Sequence, residues 1–154
     1  SAASDVYKRQ LGNICRSPAA EAVMTAIRDR EGRGSIALDS AGTGGWHRGE
    51  LADERMRRTA TRRGYEITSR ARQLSVEDYQ RFTHIVAMDG DNRREIEARA
   101  PHGHQAQVLL MTDFHPDASL KGVPDPYYGG QEGFDLVIDI LEISCESLWK
   151  YLTE

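Results

Sequence analysis

The chain alternates between short apolar runs and longer stretches with helical periodicity. The apolar runs lie at residues 36–38, 84–88 and 107–111. The stretches around them are amphipathic or begin with residues that typically cap helices. Strands that alternate with helices favour a parallel sheet with helices on its faces. The sequence therefore predicts an α/β fold, in which a buried first strand normally feeds the first functional loop.

Capping and breaking signals set the expected helix bounds. Ser17 is a good N-cap and Pro18 suits the first helical position, so a first helix is predicted from there to about Arg30. Ser75 is likewise expected to cap a short helix that ends at Phe82. Further helices are predicted over residues 53–63, 91–100 and 132–152, and a Pro/Gly-rich loop over residues 122–130.

Length, charge and cysteine count exclude several classes of protein. A chain of 154 residues corresponds to about one domain, and its formal charge of −4 gives no bulk attraction to nucleic acid or to an anionic membrane. No apolar run approaches the ~20 residues that span a bilayer. Cys15 and Cys145 are too few for a disulfide framework, and with no signal peptide we expect a cytoplasmic protein.

Charged residues are unevenly distributed, and other polar residues suggest no metal. Residues 53–72 carry seven arginines against three acids, whereas residues 132–154 carry six acids and one lysine. This pattern is compatible with two solvated helix faces or with a basic collar that steers an anionic substrate. Several loop residues lack a recognised ligand pattern and are interpreted as surface polar groups: His102, His104, Asp113, His115 and Asp117.

A candidate anion-binding loop lies where a strand should meet the first helix. Residues 11–18 spell Leu-Gly-Asn-Ile-Cys-Arg-Ser-Pro. Gly12 and Asn13 tolerate positive φ, and successive amides in such a turn bind anions together with the helix N-terminus. Arg16 can hold two phosphate oxygens with its planar guanidinium. These residues alone favour a phosphate loop, with an ordinary strand–helix turn as the alternative.

The same eight residues resemble the signature of the low-molecular-weight protein tyrosine phosphatases. The resemblance extends over residues 11–154 in order and spacing, and we treat this range as one domain. It implies three layers, with a central four-stranded parallel sheet between helices and the phosphate loop after its first strand. Further matching blocks are Asp39–Thr43, Trp46-His47, Arg70–Gln73, Met88-Asp89 with Asn92, and Asp125–Tyr128.

The resemblance implies a role for each matching residue. Arg16 matches the arginine that holds the transferring phosphoryl group, and Asp125 matches the general acid. Asn13, Ser17 and Ser40 match side chains that brace the loop, while Ser69 aligns with a bracing position that is often histidine. The implied substrate-binding residues are the loop itself and an aromatic rim: Leu11, Gly12, Asn13, Ile14, Cys15, Arg16, Ser17, Trp46, Tyr127 and Tyr128.

The family also implies the substrate class. Ile14 favours phosphotyrosine, because related protein-arginine phosphatases carry threonine there. The expected partners are a phosphotyrosine protein, inorganic phosphate and, in bacteria, a tyrosine kinase; no cofactor, metal, nucleic acid or membrane is expected. Arsenate reduction, which related proteins perform, needs further cysteines, and only Cys145 lies outside the loop.

Position 10 departs from the family pattern. The nucleophilic cysteine should lie six residues before Arg16, and that residue is Gln10. Residues 1–10 are also too polar for a buried strand, so we interpret them as a non-native or disordered segment. Two explanations are open: a foreign segment that replaces the native strand and its cysteine, or a pseudophosphatase that binds phosphate or phosphotyrosine. In either case the chain with Gln10 is predicted to be inactive.

Overall fold

The computed structural model describes residues 15–34, 36–44, 48–126 and 130–154. In chain order its elements are helix α1 (Arg16–Arg30), α2 (Glu54–Arg62), α3 (Asp78–Arg81), strand β1 (His84–Ala87), α4 (Gly90–Arg99), strand β2 (Gln107–Leu110), a 3₁₀ helix (Met111–Phe114) and α5 (Gln131–Thr153).

Two predicted strands are confirmed, and they pair as expected. β1 and β2 are parallel, with His84 opposite Gln107 and Ala87 opposite Leu110. The described residues form a two-stranded sheet, so the expected four strands are not reached within them. The prediction of a strand at residues 36–38 is wrong: the Ile36 amide instead donates to the Arg33 carbonyl at 3.1 Å. An apolar run forms a strand only when a neighbouring strand pairs with it.

The sheet is covered on both faces, as the α/β prediction requires. Val86 packs against a large cluster that includes residues of α1, α2 and α5. Ile85 and Ala87 belong to a smaller cluster on the other face, with Tyr79 of α3 and Ile96 of α4. Alternate residues of a strand point to opposite faces. The structure therefore has three layers, and the continuous apolar run of β1 follows from burial on both sides.

The first helix is confirmed, but its predicted cap is wrong. α1 begins at Arg16 rather than at Pro18, and its N-cap, Cys15, makes no side-chain hydrogen bond to the helix. Pro18 still lies in the first turn, where the missing amide proton leaves no intrahelical hydrogen bond unmade. The early start places the Arg16 side chain on the first turn of α1.

The Ser75 cap is also wrong. The short helix begins only at Asp78, after a turn, and both the amide and the hydroxyl of Ser75 donate to the Asp78 carboxylate. The remaining predicted helices are confirmed within one or two residues of their expected ends. Asp53 caps α2 and Asp89 caps α4, each with a carboxylate oxygen that accepts from backbone amides.

Two arginines form ion pairs with the acidic last helix, α5. Arg63, just after α2, contacts the α5 carboxylates of Asp139 at 2.6 Å and Glu142 at 2.7 Å. Arg30 pairs with Glu146 of the same helix at 2.7 Å. Within the arginine-rich segment, Arg63 therefore binds the acidic last helix, whereas Arg30 reaches that helix from α1. Among the helices of the described ranges, none is long and apolar enough to cross a membrane.

Candidate active site

Arg16 lies at the centre of the candidate site and is held by two contacts. Its Nη1 atom donates to Oδ2 of Asp89 at 2.5 Å and to the carbonyl oxygen of Val123 at 2.9 Å. The Arg16 side chain is only 10% exposed, so the ion pair with Asp89 is screened little by solvent. Both contacts use Nη1. Nε and Nη2, an edge that suits bidentate binding of two phosphate oxygens, have no partner among the described residues.

Asp89 lies two residues after the end of β1 and makes two kinds of contact. Its Oδ1 accepts from the Asn92 amide at the start of α4, while its Oδ2 accepts from Arg16. Burial alone raises the pKa of Asp89, but the hydrogen bonds from Arg16 and Asn92 and the charge of Arg16 outweigh it and lower the pKa below its usual value. Asp89 therefore stays ionised and fixes Arg16 against the end of the sheet.

The loop that carries Asp125 is attached to the same end of β1. The Val123 amide donates to the Met88 carbonyl at 2.7 Å, and Gly122 bridges to Asp89. A Cβ on Gly122 would lie 2.6 Å from the Cβ of Asp89, so this close approach requires glycine. Asp125 follows two residues after the Val123 carbonyl that accepts from Arg16. The fold thus brings the loop of Asp125 to the first turn of α1.

Cys15 is buried directly before Arg16 and is surrounded by charges of both signs. It is 5% exposed, and burial raises the pKa of its thiol far above the usual value. The carboxylates of Asp53 and Asp125 raise it further, and the charges of Arg55 and Arg16 only partly oppose them. The Cys15 side chain is therefore a neutral thiol near pH 7.

Ser40 and Ser69 meet at a carboxylate on α1. The Ser40 hydroxyl donates to Oε1 of Glu21 at 2.6 Å, and Ser69 lies close enough to lower the pKa of Glu21. Burial raises the pKa of Glu21, the two serines oppose it, and the nearby Asp39 charge adds to the rise. Ser40 is itself buried, at 8% exposure. This cluster holds residues 39–40 against α1 next to the candidate site.

The described residues contain part of the predicted site. Arg16, Asp125, Cys15, Ser17 and Ser40 are described, and the first three lie near one another. The following predicted residues lie outside the described ranges: Gln10, Leu11, Gly12, Asn13, Ile14, Trp46, Tyr127 and Tyr128. In the parts of the chain that the structure describes, no group of three or more potential ligands could hold a metal ion.

Sequence reasoning missed two residues of this region. In the sequence Asp89 stands out only as part of a block that matches the family, although an Asp three residues before Asn92 is a recognisable N-cap signal. Glu21 looked like an ordinary helix residue because its partners, Ser40 and Ser69, lie far away in the sequence. No local pattern indicates such contacts.

The fold and this arrangement are those of a known class of phosphatase structure. A crystal structure of a protein tyrosine phosphatase from Entamoeba histolytica with Hepes in its active site matches with a TM-score of 0.88 and 45% identity, covering 92% of each chain. A Synechocystis relative named for the same activity is 49% identical over 140 residues, which are 90% of this chain and 89% of the relative. The low molecular weight phosphotyrosine protein phosphatase 1 of Drosophila melanogaster is 38% identical over 141 residues, 91% of each chain.

The family model described as low molecular weight phosphotyrosine protein phosphatase matches residues 10–154. The chain belongs to this family, and the resemblance found in the sequence is confirmed. The match covers the whole of the range 11–154 that the sequence motifs delimited, and residue 10 before it.

Proposed function

We propose that this chain forms the phosphate-binding site of a protein tyrosine phosphatase but, with Gln10 at the position of the nucleophile, binds phosphate monoesters without hydrolysing them. The observation that carries the proposal is the clamp on Arg16. Asp89 and the Val123 carbonyl hold one guanidinium nitrogen at the first turn of α1, next to the loop of Asp125. A cation fixed at a helix N-terminus favours a bound dianion.

The reaction proposed for a chain with cysteine at position 10 has two steps. The thiolate attacks phosphorus, forming an S–P bond as the P–O bond to the tyrosine breaks, and Asp125 gives its proton to the leaving phenolate. Asp125 then takes a proton from water, whose oxygen attacks phosphorus and releases phosphate and the thiolate. Arg16 and the loop amides hold the equatorial oxygens in both steps.

Gln10 stops this route, and Cys15 is unsuited to replace the nucleophile. An amide does not attack phosphorus, so no covalent intermediate forms at position 10. The buried thiol of Cys15 is neutral because its pKa is raised by burial and by the two neighbouring carboxylates. A thiol is a far weaker nucleophile than a thiolate. We therefore infer near-background hydrolysis for the chain with Gln10.

Two explanations for glutamine at position 10 are consistent with membership of the family. In the first, residues 1–10 are a foreign segment, the domain proper is 11–154, and the native protein is an active phosphotyrosine phosphatase of the cytoplasm with a tyrosine kinase among its partners. In the second, the chain is a natural phosphotyrosine-binding pseudophosphatase, an explanation in which Gln10 is the native residue at the position of the nucleophile. Sequencing the gene upstream of Leu11 separates them, because an apolar strand that ends in cysteine establishes the first.

The test combines turnover with phosphate binding. We expect the parent chain to gain thermal stability from inorganic phosphate but to hydrolyse p-nitrophenyl phosphate at background rate. Gln10→Cys, alone and behind an aliphatic strand at residues 6–9, should introduce turnover, and adding Asp125→Asn should reduce it by roughly 10²–10⁴-fold.

Three outcomes contradict the proposal. Hydrolysis by the parent chain that disappears on Arg16→Ala or Asp125→Asn would show that a nucleophile is already present. A Gln10→Cys chain with the restored strand that binds phosphate yet stays inert at every pH would argue against the enzyme assignment. A parent chain that shows no stabilisation by phosphate would argue against the binding site.

A further inference from the structure

The loop that carries Asp125 has a support on each side of that residue. Before Asp125, the Val123 amide donates to the Met88 carbonyl at the end of β1. After Asp125, Pro126 meets the first turn of α5, because a Cβ on Gly133 would lie 3.5 Å from the Pro126 Cβ. The first turn of α5 is therefore a second support of this loop, in addition to the end of β1.

That first turn of α5 is joined to α2 by two contacts. The Arg55 guanidinium lies over the Phe134 ring, with Cζ 4.7 Å from the ring centroid. Phe134 is 1% exposed, so its ring is fixed in the core, and the face of an aromatic ring attracts a cation at this distance. The Gln131 side chain, at the start of α5, also donates to the Thr59 hydroxyl at 2.8 Å. The first of these contacts depends on a charged side chain.

Arg55 is itself oriented by Asp53, the N-cap of α2. Its Nη2 atom lies 3.2 Å from Oδ2 of Asp53, and its Nε donates to Oδ1 at 3.3 Å. The Asp53 carboxylate also accepts from the Arg55 and Met56 amides, and it is only 12% exposed. A planar guanidinium bound at two points has a fixed orientation, which the ammonium group of lysine would not have. Asp53 therefore keeps the guanidinium over Phe134.

The pair of Arg55 and Asp53 lies beside the candidate site. The charges of both residues act on the Cys15 thiol, as do those of Asp125 and Arg16. Interactions between charges weaken with distance, so these four charged groups surround one buried thiol. The start of α2 is therefore close to both the first turn of α1 and the loop of Asp125.

We propose that Arg55 is a positioning residue that fixes the first turn of α5 and, through Pro126, holds the loop of Asp125 where the general acid acts. The inference rests on the proposed function, because it gives Arg55 a part in the same reaction. Arg16 is held separately, by Asp89 after β1. Loss of Arg55 should therefore impair proton transfer to the leaving group more than it impairs binding of the phosphoryl group.

The first experiment measures hydrogen exchange in the full parent chain and needs no phosphate. In Arg55→Met, which removes the charge but keeps an unbranched side chain, the Asp135 amide near the start of α5 should exchange about fivefold faster relative to the Cys145 amide in the same helix. The matched control is Arg58→Met, also on α2, where the side chain is 68% exposed and lies 4.0 Å from Glu54. It should leave the ratio of the two exchange rates unchanged.

The second experiment measures the role in catalysis, in the Gln10→Cys chain with an aliphatic strand at residues 6–9. The leaving group of phenyl phosphate is strongly basic and needs a proton, whereas that of p-nitrophenyl phosphate needs it far less. Adding Arg55→Met should lower kcat/KM by about tenfold for phenyl phosphate and about twofold for p-nitrophenyl phosphate. Arg55→Lys, which keeps a cation at this position, should be intermediate, and Arg58→Met should change neither value.

The comparison of two esters separates positioning from a general loss of structure. Both esters carry the same phosphoryl group, so weaker phosphate binding or partial unfolding would lower the two values of kcat/KM equally. The proposal is overturned by such an equal loss, or if Arg55→Met leaves exchange at Asp135 unchanged. An inert Gln10→Cys chain with the aliphatic strand contradicts the proposed function and the catalytic role of Arg55 with it. An active chain whose two esters respond equally to Arg55→Met contradicts the role of Arg55 alone.

Discussion

At the scale of single residues, we expect substitution of Asp89 to destabilise the protein more than substitution of any other residue of the candidate site. In Asp89→Asn the largely buried Arg16 loses its charged partner, and we expect the free energy of unfolding to fall by about 1–3 kcal/mol at pH 7. Because hydrogen bonds and the charge of Arg16 lower the pKa of Asp89 despite burial, this stabilisation is present above about pH 4 and is lost as the pH falls through the lowered pKa.

Urea unfolding of the parent chain and of Asp89→Asn at pH 7 and at pH 3 measures the loss of stability and its dependence on pH. The matched control is Asp91→Asn, in the first turn of the same helix, where the carboxylate is 90% exposed and pairs with Arg94. Its cost should stay within about 0.5 kcal/mol. Equal losses for the two variants, or an Asp89→Asn deficit that persists unchanged in acid, would show that Arg16 does not depend on Asp89.

Residues of the site differ in how far the sequence reveals them. Arg16 and Asp125 lie in contiguous motifs, and Arg16 binds the Val123 carbonyl two residues before Asp125. Asp89 and Glu21 act through partners that are 73 and 19 residues away. Such contacts are decided by tertiary packing, so a single sequence indicates at most a cap at Asp89 and nothing at Glu21.

At the scale of elements, Gly122 controls how the loop of Asp125 joins the end of β1. An added Cβ would meet the Asp89 Cβ at 2.6 Å and the Met88 carbonyl at 3.2 Å. Gly122→Ala should therefore force the loop away from β1 and lower the free energy of unfolding by about 1–3 kcal/mol. It should also weaken phosphate-dependent stabilisation, because the Val123 carbonyl that holds Arg16 moves with the loop.

The control for this change is Gly34→Ala, where a new Cβ meets nothing within 4 Å. We expect urea unfolding to show that Gly34→Ala leaves the free energy of unfolding nearly unchanged or raises it slightly, because alanine restricts the unfolded chain. A Gly122→Ala protein as stable as the Gly34→Ala protein would mean that the loop shifts freely, and that its attachment to β1 does not position Asp125.

Element bounds were predictable where the signal is local. Asp53 and Asp89 cap their helices as their residue types suggest, and the apolar runs of β1 and β2 pair as strands. The Ser17 cap failed because the helix starts earlier and orients Arg16 toward Asp89. Residues 36–38 failed because strand formation depends on a neighbour, which their own side chains do not specify.

At the scale of the whole molecule, the turn after α2 is tied to α5 by a cluster around Glu142. The Tyr65 hydroxyl donates to Oε2 of Glu142 at 2.5 Å, and Arg63 pairs with Oε1 at 2.7 Å. The carboxylate thus joins two residues that follow α2 to the middle of the longest described helix. The interaction spans 77 residues of sequence and fixes one outer layer of the fold.

This cluster predicts a difference in alkaline stability between the parent chain and Tyr65→Phe. Burial, the hydrogen bond to Glu142 and its charge raise the pKa of Tyr65 to about 12, whereas the unfolded chain has the usual value near 10. The stabilisation is therefore complete below about pH 10 and is lost as the pH rises toward 12. Tyr65→Phe should be less stable by about 1 kcal/mol at pH 7, and this deficit should shrink as Tyr65 ionises in the unfolded parent. Urea unfolding of both proteins from pH 7 to 11 measures it; a deficit that stays constant or grows would show that Tyr65 does not donate to Glu142.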